Sequence, residues 1–261
     1  MYGPKDEVDL LKFGKAINGL PFWMAGSYAK PEKFNEVLEM GGAGVQVGTA
    51  FALALESGMT DETRQEIMAE LLVADLDVYT DPVASPTGFP FKVMNLEGTL
   101  ARQEVYEARP RVCNLGYLRS LYVQPNGKIG YRCPSEPVDR YVKKGGNAEA
   151  TVGRKCLCNA LCSDAGYPQV TYETKDSDPY VEKPLITIGD DVNACRKFMK
   201  LDEATGKWGY SARDVVDFLV SEWESNGDSS KEEKVASGAG STATATKATK
   251  TKTKVSTDLT P

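Results

Sequence analysis

Two short apolar segments each end in glycine, at Gly26 and at Gly48, and the two glycines stand 22 residues apart. Pro21-Phe22-Trp23-Met24-Ala25 runs into Gly26-Ser27, and Gly44-Val45-Gln46-Val47 runs into Gly48-Thr49. Neither segment alternates apolar with polar residues, so both read as strands buried on two faces, as in parallel sheets. A helical stripe of Phe34, Val37, Leu38 and Met40 lies between them, opened by Pro31 in the first turn and closed by Gly41-Gly42. An earlier helix from about Asp6, with Val8, Leu11 and the stem of Lys15 on one side, ends at Asn18-Gly19. A third helix begins near Ala50, and a fourth, capped by Thr60 and carrying Ile67, Leu71 and Leu72, runs to about Asp75. This is the rhythm of a parallel α/β sheet or barrel, present for two βα units only.

One βα unit between the glycines makes the two turns neighbours on the carboxyl edge of one sheet. Glycine there lets backbone N–H groups approach an anion, and a helix start behind each turn adds favourable partial charge. Gly26, Ser27, Gln46, Val47, Gly48 and Thr49 are therefore the candidate phosphate ligands, Thr49 adding a hydroxyl and Gln46 a side-chain amide. Glycine also ends strands simply because α/β loops must turn, so spacing alone leaves both readings open.

From about Asp77 the rhythm is lost. Pro110, Pro125, Pro134, Pro137 and Gly145-Gly146 break the chain into short pieces, which read as an irregular extension of helices and loops. A final helix is expected from Ser211 to Trp223, with Val215, Val216, Phe218, Leu219 and Trp223 at helical spacing. Beyond it Ser, Thr, Ala, Gly and Lys dominate, no aromatic follows Trp223, and too little apolar surface remains to offset the entropy of ordering. The expected division is 1–76 for the βα units, 77–224 for an extension packed on them, and 225–261 for a disordered tail. The tail from Asn226 carries six Lys against two Asp and two Glu, or +2, which leaves −8 of the net −6 on residues 1–225.

That acidic balance disfavours nucleic acid as a partner. No apolar run reaches the roughly 18 to 20 residues that span a bilayer, and the N-terminus, with Lys5, Asp6, Glu7 and Asp9, resembles neither a signal nor a transit peptide. A cytoplasmic location is expected, and six sparse cysteines suit free thiols there. The absence of histidine excludes any imidazole base, triad or ligand within this chain. Cys133, Cys156, Cys158 and Cys162 follow C-x22-C-x-C-x3-C, which matches no standard zinc spacing, so buried thiols are expected and no metal. Arg132, Arg140, Lys143, Lys144, Arg154 and Lys155 are interleaved with Glu136, Asp139 and Glu149 as a mixed solvated surface, and Tyr117, Tyr122, Tyr131 and Tyr141 read as half-buried packing.

Pro21 to Glu56 resembles the closing βα units of the nitronate monooxygenase family, flavoproteins formerly called 2-nitropropane dioxygenases. The likeness continues through Thr80 to Val93, NLGYLR at 114–119, Ile129 to Gly146 and VGRKCLCNAL at 152–161, and covers roughly residues 2 to 200. It implies the C-terminal part of a TIM-barrel-like fold, an incomplete barrel, with FMN phosphate on Gly26, Ser27, Gln46, Val47, Gly48 and Thr49. The implied activity is FMN-dependent oxidation of an alkyl nitronate to a carbonyl compound and nitrite. The family's catalytic base is a histidine in the half of the barrel that has no counterpart here, so no catalytic residue is assigned.

Two βα units leave a sheet edge and an apolar face exposed. The resemblance therefore implies a fragment, a split gene or an inactive remnant, a start in mid-domain favouring truncation or splitting. The alternative function is an interaction module, with a partner chain or homo-oligomer completing the barrel; a third is phosphate-ligand binding without flavin chemistry. Ser85 to Lys92 reads as a rigid Pro/Gly turn with Phe89 and Phe91 as core anchors, or as a flap presenting Lys92 or Phe89 to a flavin or small anionic substrate. Lys92 is the first residue to test as a base.

Overall fold

The computed structural model describes residues 8–172 and 177–221, all within the compact unit Met1–Glu222. The tail at 225–261 and Trp223 lie outside the described residues.

Asp9 opens α1 (Leu10–Ala16) by accepting the Lys12 amide at 3.0 Å, and Asn18 and Gly19 leave the helix with left-handed φ of 52° and 79°. Because the helix starts at Leu10, Leu10 is its buried residue; Val8 precedes the helix, and Leu11 faces outward, against expectation. The edge-to-face contact of Phe13 and Phe22, centroids 5.3 Å apart, carries α1 onto the entry to β1 (Trp23–Ala25). Pro31 begins α2 (Pro31–Glu39). The end of α2 is a Schellman turn: Gly42 N–H donates to Val37 O at 2.8 Å and Gly41 N–H to Leu38 O at 3.0 Å, with Gly41 at φ 84°. A Cβ on Gly42 would collide with Val37.

β2 (Gly44–Gln46) then pairs parallel with β1, setting Trp23 against Gly44, Met24 against Val45 and Ala25 against Gln46. The adjacency expected from the 22-residue spacing is present. The expected two-sided burial is not: Phe22 is buried, but Trp23 is 56% exposed and Ala25 and Gln46 are open. Among the described residues this sheet has two strands, with no further strand to flank Trp23.

α3 (Thr49–Ala52) is one turn long, and α4 (Asp61–Val73) starts where Thr60 Oγ1 accepts the Thr63 amide at 3.2 Å. Ile67, Met68 and Leu71 form the buried side of α4, whereas Leu72 faces water. The last turn of α4 is closed from far along the chain, since the Arg196 guanidinium binds the carbonyls of Leu71 and Ala74 and pairs with Asp75 at 2.6 Å. Cationic donors at a helix C-terminus satisfy carbonyls that have no partner within the helix.

The extension contains more strand than expected. β3 (Val78–Asp81) pairs with β4 (Phe91–Met94), β5 (Ser120–Val123) with β6 (Ile129–Arg132), β7 (Val170–Thr171) with β8 (Tyr180–Val181), and β9 (Lys200–Asp202) with β10 (Lys207–Gly209). All four pairs are antiparallel, and among the described residues no sheet exceeds two strands and no barrel closes. Between them run α5 (Gln103–Ala108), α6 (Val138–Lys143), a 3₁₀ turn (Ala148–Thr151), α7 (Leu157–Asp164) and a longer 3₁₀ segment (Asp190–Phe198). Helix α8 covers 212–221 and is capped reciprocally by Ser211 and Asp214, at 2.8 Å and 3.2 Å. Val215 and Leu219 are buried in it; Val216 is not.

The core crosses residue 76. Leu53, Ile67, Met68 and Leu71 pack with Met94, Ile186, Val192, Phe198, Tyr210 and Val215 in one cluster. Tyr210 also donates to Ala50 O at 2.8 Å, and Asn193 holds both peptide groups of Leu76, at 2.8 Å and 3.0 Å. A second cluster joins Val93, Leu100, Leu157, Ala160 and Leu185. Among the described residues no helix is long and apolar enough to cross a membrane.

Candidate functional site

At the carboxyl end of β1 the chain turns with Gly26 at φ 90° and Ser27 at φ 60°. A left-handed serine costs about 1 kcal/mol, and strain of this kind persists where the surroundings hold it. Ala25 and Gln46 are paired, so this turn lies beside Val47-Gly48-Thr49 at the end of β2. All six expected ligands, Gly26, Ser27, Gln46, Val47, Gly48 and Thr49, line one open cavity of about 480 Å³. A Cβ added at Gly26 or Gly48 would meet nothing within 4 Å, so the backbone at both turns faces free space.

The helix starts behind the turns differ from expectation. α3 is a single turn, and α2 begins only at Pro31, after Tyr28, Ala29 and Lys30. Little macrodipole is directed at the cavity, which leaves the backbone N–H groups and Lys92 as its anion-binding features.

Apart from Lys92, the far wall comes from residues that no motif or spacing in the sequence marks. Thr187, Ile188, Gly189, Asp190 and Asp191 close the far side, with Lys92 from β4 beside them. Hydrogen bonding to the Lys92 ammonium, with Nζ to Oδ2 at 2.6 Å, holds the Asp190 carboxyl below its ordinary range. Thr49 Oγ1 donates to Asp191 Oδ1 at 2.5 Å. Gly189 makes room for that bond, because a Cβ there would fall on both atoms.

A second cavity of about 440 Å³ shares Ser27, Ala29, Asp190 and Asp191 with the first and adds Lys30, Cys195, Lys197 and Phe198. Lys197 lies 3.9 Å from the Phe218 ring centroid and 4.9 Å from that of Phe198, and donates to Ala29 O at 3.2 Å. Burial pushes its pKa down. Across the two cavities three ammonium groups, Lys30, Lys92 and Lys197, face two carboxylates, Asp190 and Asp191. Their +1 balance is the sum over both cavities; the first alone carries Lys92 against Asp190 and Asp191, or −1, because Lys30 and Lys197 line only the second, so its open glycine backbone and the Ser27 hydroxyl, not its net charge, are what fit a phosphate group. No histidine exists to act as base, and Lys92, Asp190 and Asp191 are the charged groups on the first cavity's wall.

The Ser85 to Lys92 segment contributes Lys92 alone. Phe89 is 72% exposed and anchors nothing, while Phe91 packs against the second core cluster. The turn is pinned from below by Arg154, which donates to Val83 O at 2.8 Å and Ser85 O at 2.5 Å.

The five cysteines other than Cys195 lie away from both cavities. Among the described residues no group of three or more His, Cys, Asp or Glu could hold a metal ion, and all six cysteines are free. The surrounding cations are engaged in local contacts: Arg132 stacks on Tyr122 and Tyr141 at 5.0 and 5.6 Å, Lys155 on Tyr106 at 4.2 Å, and Lys144 pairs with Glu136 at 2.6 Å. Tyr141 is buried, but Tyr117 and Tyr131 are 75% and 55% exposed, against the expected half-burial.

No protein-family model matches the chain, and no curated protein matches its sequence.

Proposed function

We propose that the cavity at the ends of β1 and β2 holds the phosphate of FMN, and that the chain supplies the cofactor-anchoring part of a flavin-dependent oxidoreductase of the nitronate monooxygenase type. The observation that supports this reading is the convergence of Gly26, Ser27, Gln46, Val47, Gly48 and Thr49 on one cavity beside Lys92. In this reading the β1–β2 pair corresponds to closing units of a TIM-barrel-like sheet. Backbone N–H groups at the two glycine turns and the Ser27 hydroxyl hold the phosphate, Lys92 neutralises it, and Thr49, whose hydroxyl is donated to Asp191, holds the turn in place. Bound flavin would supply the electron and oxygen chemistry for an alkyl nitronate substrate.

The test compares FMN with riboflavin, which lacks the phosphate, by flavin fluorescence on the full chain. FMN binding at least ~10-fold tighter than riboflavin supports the phosphate cradle. Equal affinities, or no binding of either, overturn it. Nitrite release from an alkyl nitronate by the FMN-loaded chain then tests the activity separately.

A second reading rests on the exposed outer side of the β1–β2 pair, where Trp23 and Leu20 are 56% and 67% open. There the chain acts as an interaction module, completed by a partner chain or by its own copy. Sedimentation of the full chain and of a Trp23→Glu variant tests the homo-oligomer: a dimer lost in the variant favours it, and a monomer in both removes it.

A further inference from the structure

The cavity of about 440 Å³ adjoins the first, because Ser27, Ala29, Asp190 and Asp191 line both. Its own charged additions to the wall are two ammonium groups, Lys30 and Lys197, and no carboxylate. The carboxylates that the two cavities share are already engaged. Asp190 accepts from Lys92 at 2.6 Å, and Asp191 Oδ1 accepts the Thr49 hydroxyl at 2.5 Å.

Among the described residues neither Lys30 nor Lys197 makes an ion pair, although Asp191 and Glu32 lie within electrostatic range of Lys197. The two ammonium groups repel each other: burial depresses the Lys197 pKa, and the charge of Lys30 depresses it further. Like charges held near one another in a cleft without a counter-ion attract an anion, whose arrival relieves the repulsion. Lys197 is also held in place. Its ammonium sits 3.9 Å from the Phe218 ring centroid and donates to Ala29 O at 3.2 Å, which engages one of its three protons. Ala29 belongs to the connection between β1 and α2, as do Ser27 and Lys30. That bond ties Lys197 to the segment carrying the Gly26-Ser27 turn.

We propose that the second cavity takes a second phosphate, carried on the same ligand as the first, so that the chain binds the flavin dinucleotide FAD in preference to FMN. The inference rests on the flavin reading of the first cavity and extends it. The glycine turns hold the phosphate next to the riboflavin, and Lys30 and Lys197 hold the phosphate beyond it.

Isothermal titration calorimetry of the full chain with riboflavin, FMN and FAD separates the two phosphates. FMN against riboflavin reports the first cavity, and FAD against FMN reports the second. At low salt FAD should bind ~3- to 10-fold tighter than FMN. Lys30→Met and Lys197→Met should each weaken FAD by ~3-fold or more while changing FMN by less than ~2-fold. Lys30 is exposed, so its substitution spares the core, and the comparison in the native chain needs no variant. FAD binding no tighter than FMN overturns the inference, while FMN still tighter than riboflavin keeps the reading of the first cavity. An FAD advantage that survives both substitutions comes from the adenosine and overturns the inference as well. Equal affinities for FMN and riboflavin overturn the flavin-phosphate reading, and this inference with it.

Discussion

Thr49 Oγ1 donates to Asp191 Oδ1 at 2.5 Å, joining residues 142 positions apart at the rim of the cavity. The bond fixes the β2 turn against the 3₁₀ segment, and Gly189 leaves the space it needs. Thr49→Val keeps the shape and removes the donor, at a cost of about 1 to 2 kcal/mol for a hydrogen bond to a charged group. Gly189→Ala forces the two side chains apart and should cost about 1 to 3 kcal/mol. Urea denaturation should place both midpoints below that of the native chain. An unchanged midpoint for Gly189→Ala would show that Thr49 and Asp191 part freely.

Arg109 and Glu182 form a buried bidentate pair, with Nε to Oε1 at 2.5 Å and Nη2 to Oε2 at 2.9 Å, and their side chains are 3% and 0% exposed. Arg109 also donates to Val112 O, and Ser163 to Glu182 O, so the pair joins the α5 exit, β8 and α7. Removing one partner strands a buried charge, and Glu182→Gln or Arg109→Met should each lose about 3 to 5 kcal/mol. The double variant Arg109→Met with Glu182→Leu should recover most of that loss. Thermal denaturation of the three variants measures it; additive losses would contradict the argument.

The local devices were legible because each is carried by adjacent residues. Thr60 and Ser211 cap the helices they were expected to cap, Gly41-Gly42 ends α2, and 22 residues between glycines do set the two turns side by side. The far wall was not legible. Asp190 and Asp191 lie about 140 residues from Thr49; their 3₁₀ segment repeats Val192, Cys195 and Phe198 at every third position, but a local period names no distant partner, and the shared core around Leu53, Ile186 and Phe198 brings them there. The exposure of Trp23 was unreadable for a related reason. An apolar strand looks the same whether or not further strands flank it, and β7 and β8, at two residues each, are too short to leave a pattern.

Asp164 gives a stability effect of definite sign. It is the last residue of α7, at the negative end of the helix, its Oδ1 is buried without a hydrogen-bond partner, and burial pushes its pKa up to about 6 from 3.8. Between these two values the folded chain holds a proton that the unfolded chain releases. The contribution of Asp164 is therefore fully favourable below pH ~4, falls as pH rises to about 6, and stays lost above that. Asp164→Asn removes the ionisation and should raise stability at pH 7.5 by ~1 kcal/mol, after discounting for the part of the side chain that water reaches. Stability curves from pH 4 to 8 check it: the native chain should lose ground to the variant across pH 4 to 6. Parallel curves would refute the assignment to Asp164.

Lys92 and Asp190 are paired at 2.6 Å on the cavity wall, and both side chains are partly open to water. A phosphate entering beside Gly26 and Gly48 must draw Lys92 away from Asp190 and then sit near an uncompensated carboxylate. Asp190→Asn removes the competitor and the like charge together, so FMN should bind ~3- to 10-fold more tightly at low salt. The gain should shrink as ionic strength shortens the range of the interaction. Lys92→Met should weaken FMN by ~10-fold and leave riboflavin unaffected, because the lost ammonium serves the phosphate alone. Fluorescence titrations of both flavins against the two variants, at low and high salt, read these changes directly. If Asp190→Asn leaves FMN affinity where it was, Lys92 does not exchange partners and the phosphate does not lie at this wall.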